Sequence, residues 1–120
     1  MLQRLSMGIV LLFLAVATAQ AAAAGYPKEI AREVALYPGG QVVQQTSEEN
    51  GIQVVLSVSG TVDKVAAYYK KEMPKSGWKQ ENFQEMGPAQ AIGFVKGKRH
   101  AVITIMQVAD QLTATIGIDR

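Results

Sequence analysis

Residues 52–59 and 112–118 alternate apolar and polar side chains with a period of two, a pattern that a half-buried strand satisfies and a helix does not. Ile52, Val54, Leu56 and Val58 point one way, with Gln53, Ser57 and Ser59 opposite. Leu112, Ala114, Ile116 and Ile118 face inward, while Thr113 and Thr115 face out. Further strand candidates are 41–46, 78–86, 89–95 and 100–108. Asn50-Gly51, the dipeptide best able to occupy two positive-φ positions, is expected to close the first hairpin. Gly87-Pro88, Lys96-Gly97-Lys98-Arg99 and Ala109-Asp110-Gln111 divide the later strands.

Between the hairpin and the later strands the period changes. Val62, Val65, Ala66, Tyr69 and Met73 fall on one stripe at helical spacing, with Asp63, Lys64, Lys70, Lys71 and Glu72 mostly on the other side. Thr61 is the expected N-cap, Asp63 suits the positive end of the helix dipole, and Gly77 is the terminator; Pro74 disturbs the last turn. A shorter helix is expected after Pro27, over Lys28 to Leu36, stopped by Tyr37-Pro38-Gly39-Gly40. The expected fold is therefore α+β: an antiparallel sheet in ββαββββ order with one long helix packed on one face, plus a short N-terminal helix.

That arrangement leaves a question of cover. Ile103 and Ile105 lie on one face of their strand and Val102 and Met106 on the other, and Ile92 and Phe94 oppose Ala91 and Val95 in the same way. One helix covers one face, so the second needs another cover. Either segment 27–36 or a symmetric partner can supply it; the expectation is that the segment does and that the protein is a monomer.

The chain starts with Met1-Leu2-Gln3-Arg4, an uncharged apolar run from Leu5 to Ala17, and an alanine-rich stretch to Ala24. One positive charge, a short apolar core and small-x-small positions are the requirements of a secretory signal peptide, here residues 1–24, with cleavage after Ala21 or Ala24. Removing 24 of the 120 residues leaves 96, enough for one domain. That domain comprises a lead-in segment, 25–40, and a single α+β unit, 41–120. The sequence contains no cysteine, which excludes disulfide staples and an acylated N-terminal cysteine. The alanine-rich end suits cleavage better than retention, so no stable membrane anchor is expected afterwards. Of twelve basic and ten acidic residues, Arg4 leaves with the signal, and a net charge of +1 gives no support to nucleic-acid binding.

Tyr37-Pro38-Gly39 before a hairpin, a helix ending at Gly77-Trp78, and the turn Lys96-Gly97-Lys98-Arg99 together resemble a family of small uncharacterised exported bacterial α+β domains, over residues 37–118. The resemblance implies the fold and the compartment, periplasmic or secreted, and no activity.

Candidate sites are few. Lys96, Lys98, Arg99 and His100 form the sharpest positive cluster, a candidate anion-binding turn. The same charges equally protect strand ends from edge pairing. Tyr68 and Trp78 are candidate partner or ligand contacts, with core packing the stronger expectation for Trp78. His100 is the only histidine, and the groupings Glu48-Glu49 and Glu81 with Glu85 do not oppose each other across a cleft, so no catalytic or metal site is expected and no cofactor. The functional expectation is an exported non-enzymatic interaction or accessory domain of the envelope, with an unknown envelope protein as partner. The alternative is a small-ligand or lipid carrier with a pocket between helix and sheet, lined by residues such as Met73 and Met106.

Overall fold

The computed structural model describes residues 25–120; the expected signal peptide, residues 1–24, lies outside the described residues. A four-residue helix, α1 (Lys28–Ala31), precedes the hairpin β1 (Gln41–Glu48) and β2 (Gly51–Ser57). Helix α2 (Val62–Glu72) and a 3₁₀ turn (Met73–Ser76) lead into β3 (Lys79–Met86), β4 (Ala89–Lys96), β5 (Arg99–Val108) and β6 (Gln111–Asp119). All neighbouring strands are antiparallel, in the spatial order β1-β2-β6-β5-β4-β3. The α+β class is as expected, but the helix is shorter. Pro74 has no N–H to continue the α-helical ladder, so the chain tightens into the 3₁₀ turn and stops at Gly77 (φ 93°).

Helix α2 starts where expected: the Lys64 amide donates to the Thr61 hydroxyl at 3.1 Å. Its stripe of Val65, Ala66 and Tyr69, continued by Met73, is buried against the sheet. Gln90 on β4 donates to the Asp63 carboxylate at 2.8 Å, fixing the start of the helix over that strand. Strand alternation then assigns the covered face: Ile92 and Phe94 on β4, Ala101, Ile103 and Ile105 on β5, and the inward residues of β2 and β6 are all buried.

Segment 25–40 does not cover the second face. It crosses the ends of the strands on the same face as α2, as a strap. The Gln45 side chain donates to the Gly25 carbonyl, Arg120 after β6 binds the Glu29 carboxylate at 2.7 and 2.8 Å, and Glu33 binds Lys96 and Arg99. Those last two lie on the covered face because they alternate with Phe94 and Ala101. Only Lys28–Ala31 is helical, yet Tyr26, Ile30 and Val34 are buried in the common core. The physical reason is length. Helix α2 has only eleven residues, and the strap's Tyr26, Ile30 and Val34 add to the same core as the inward side chains of the sheet.

The first turn also differs from expectation. Glu48 pairs with Gly51, so the two loop residues are Glu49 and Asn50, and neither Asn50 nor Gly51 has a positive φ. Gly51 is needed for another reason: an added Cβ would lie 2.8 Å from the Ile118 carbonyl oxygen and 3.3 Å from the Asp119 Cα on β6. Gly51→Ala should therefore destabilise the protein by about 1–3 kcal/mol in chemical denaturation. Gly117→Ala, whose Cβ meets nothing closer than Gln53 at 3.9 Å, should stay within about 1 kcal/mol of the parent or stabilise it.

Candidate interaction surface

The expected anion-binding turn does not converge. Lys96 Nζ lies 2.6 Å from one oxygen of Glu33 and 2.7 Å from the Ser76 carbonyl, and Arg99 lies 2.8 Å from the other Glu33 oxygen. His100 alternates to the opposite face, where its amide and Nδ1 meet the Asp119 carboxylate at 2.8 and 3.3 Å. Lys98 stands alone at the exposed tip between β4 and β5. The hairpin end is thus joined to the strap through Glu33, whose single negative charge faces two cations. The donated hydrogen bonds from Lys96 and Arg99 hold the Glu33 carboxyl below the usual glutamate range, against the opposing effect of burial.

The aromatic candidates are also placed by the strap. Trp78 is buried, its indole N–H donates to the Glu33 carbonyl at 3.2 Å, and the cations of Lys96 and Arg99 lie 5.2 and 5.7 Å from its ring centre. Trp78 therefore packs in the core, the stronger expectation for it. Tyr68 is half-buried, edge-on to Tyr37 at 4.8 Å and to Tyr69 at 5.2 Å, with its hydroxyl directed to the Leu36 carbonyl. Burial pushes the Tyr69 hydroxyl well above the usual tyrosine range, and that hydroxyl has no hydrogen-bond partner among the described residues.

Among the described residues the second face of the sheet, the one carrying Val102 and Met106, is left uncovered. Its register builds three adjoining rows. Asn82, Gly93, Val102, Gly117 and Gln53 make the first, and Gln84, Ala91, Thr104, Thr115 and Val55 the second. Met86, Ala89, Met106, Thr113 and Ser57 make the third. None of these residues is charged. Val102, Met106 and Met86 are 49%, 40% and 47% exposed, and Val108 beyond them is 59% exposed. Depletion of charge at the centre of a surface, with exposed methionine and valine, is the composition of a contact patch rather than of a solvated face. The signal was present in the sequence at alternate positions of 102–108 and 113–117; it became a surface only once the strap proved to lie on the other side.

A row of charges borders this patch at one end: Lys79, Val95, His100, Asp119, Gly51 and Glu48 follow one another across the sheet. Where Gly51 and Gly117 lack side chains the surface dips into a groove of about 370 Å³, edged by Thr46, Glu48, Gln53 and Asp119. The free edges differ from the face. Both β1 and β3 carry a bulge, between Val42 and Gln44 and between Gln80 and Asn82, and both are exposed and polar along most of their length. Bulged polar edges resist the addition of another strand. Met73 is buried under the helix while Met106 lies on the bare face, so the two do not line a common pocket. Among the described residues, no group of three or more His, Cys, Asp or Glu is placed to hold a metal ion, and no helix is long and apolar enough to cross a membrane.

Sheet, helix and strap define a small one-sided α+β domain with a filled interior. Residues 41–115 match the family described as START domain-like, and the chain belongs to that family. The match begins at the first residue of β1, leaving the strap outside it. No curated protein and no solved structure matches the chain.

Glu33→Gln should lower stability by about 1 kcal/mol at neutral pH, because both cations keep a partly solvated acceptor in the parent. The lowered carboxyl pKa makes this contribution full above the unfolded glutamate value, about 4.3, and lost as pH falls through the folded value. Denaturation curves of parent and variant should therefore be separated at pH 7 and merge in acid.

Proposed function

We propose that the chain is an exported, non-enzymatic interaction domain of the bacterial envelope that binds a protein partner on the bare face of its sheet. The observation that carries this reading is the run of three uncharged rows with Val102 and Met106 exposed, opposite a face closed by both helix and strap. Bulged, polar edges argue against strand addition and leave the face as the docking surface. The sole histidine sits on the rim of the sheet, bonded to Asp119, and the sequence has no cysteine to act as nucleophile. The signal-like first 24 residues support placement in the periplasm or outside the cell.

A second reading has its own support. Membership of a START domain-like family and the unpartnered buried Tyr69 hydroxyl favour a carrier of a small apolar ligand or lipid. Such a ligand would sit between helix and sheet after displacing the strap and would accept a hydrogen bond from Tyr69.

A photo-crosslinker placed at residue 102 and, as control, at exposed residue 71 on α2 separates these readings in the native envelope. A protein-sized adduct at 102 and none at 71 is expected. Absence of an adduct at 102, together with a small molecule retained on the gently purified protein in native mass spectrometry, would replace the interaction domain by the carrier.

A further inference from the structure

We infer that the occupant of the bare face is a second copy of this chain, packed sheet to sheet about a two-fold axis that runs along the strands between β5 and β6. The inference rests on the reading of that face as a binding surface. The strand order β1-β2-β6-β5-β4-β3 puts the β5–β6 seam at the centre of the sheet. A two-fold at that seam lays β5 on the partner's β6, β4 on the partner's β2 and β3 on the partner's β1.

Three properties of the face are self-complementary under this operation. The first is shape. Val102 and Met106 protrude from β5, and the β6 residues in the same rows are Gly117 and Thr113. Each protrusion therefore meets a small residue across the interface, and Val102 enters the groove that Gly117 and Gly51 leave open. The second is charge. In the bordering row the cation, Lys79, belongs to β3 and the acidic groups, Glu48 and Asp119, to β1 and β6, while His100 on β5 is bonded to Asp119 of its own chain. The two-fold sets Lys79 against the partner's Glu48 at both ends of this row, with the uncharged rows to one side of it. Opposite charges at the rim of an uncharged centre fix register and exclude other pairings.

The third is area. Six strands spaced about 4.8 Å apart and about seven residues long present a face of roughly 29 by 24 Å, so two copies bury on the order of 1,400 Å². Stable interfaces bury roughly 1,200–2,000 Å², and aligned sheets pack about 10 Å apart with their side chains interdigitated. An unrelated partner would have no reason to meet complementary shape and charge generated by one register; a second copy meets both by symmetry.

The test is sedimentation of the processed protein purified from its own envelope fraction, over a range of concentrations. A dimer at tens of micromolar is expected, and Val102→Glu should give a folded monomer, its fold checked by circular dichroism and melting. Lys79→Glu and Glu48→Lys, each alone, should weaken the dimer by about tenfold, since each sets like charges together twice. An equimolar mixture of these two variants should recover the parent affinity, because the mixed dimer has both pairs opposite in sign. A parent that stays monomeric at about 100 μM, a dimer indifferent to Val102→Glu, or a mixture no tighter than its components would overturn the inference. The crosslinker at residue 102 keeps the two claims apart. A monomer that captures a different protein removes the second copy but not the binding face, and a monomer that captures nothing removes both.

Discussion

Trp78 is the side chain on which the closed side of the molecule turns. It follows the glycine that ends the 3₁₀ turn, so its position is set by the length of helix α2. Its indole N–H holds the strap at the Glu33 carbonyl, and its ring is flanked by the cations of Lys96 and Arg99, which bind the Glu33 carboxylate. Helix, strap and the β4–β5 hairpin therefore meet at one buried ring. A truncation there would open a cavity where three elements join, among the costliest changes a core of this size can suffer. The same junction decides which face of the sheet remains uncovered, because it commits the strap to the helix side.

That commitment has a functional consequence. With the strap in place, Tyr26, Ile30 and Val34 occupy the end of the interior that α2 does not reach, and the helix–sheet space is filled by large buried side chains. The START domain-like family supplies the sheet-and-helix framework, and the strap lies outside the matched residues. A segment outside the matched residues closes the helix side of the sheet and, among the described residues, leaves the outer face open. The outer face then needs its own explanation: exposed valines and methionines without intervening charge are uncommon on a surface meant only for water.

Much of this architecture could be read from residues alone. The period-two stretches at 52–59 and 112–118, the helical stripe from Val62 to Met73 and the Thr61 cap all reflect local rules, and the structure places both strands within two residues of their expected bounds and starts the helix at its expected cap. What could not be read depends on contacts distant along the chain. Glu33 is 63 residues from Lys96 and 66 from Arg99, so nothing local marks two of the turn's cations as bound to the strap. The side taken by segment 27–36 is likewise a tertiary choice between two apolar faces, and periodicity is blind to it. Gly51 was legible as special but for the wrong cause: it is small because β6 passes close by, not because the turn needs a positive φ. The uncharged face was written in the sequence as an absence of charge at alternating positions, a feature that becomes a surface only when six strands are set in register.

The three methionines after residue 25 divide the molecule in the way most open to measurement. Met73 is 1% exposed beneath the helix, whereas Met86 and Met106 lie on the bare face. Peroxide oxidation of the processed protein at submicromolar concentration, followed by peptide mass spectrometry, reads each separately. A filled interior beside an uncovered face requires Met86 and Met106 to oxidise at near the rate of an unfolded control and Met73 to lag by at least about tenfold. Oxidation of Met73 as fast as that of Met106 would mean that solvent enters between helix and sheet, and the assignment of binding to the outer face would fall.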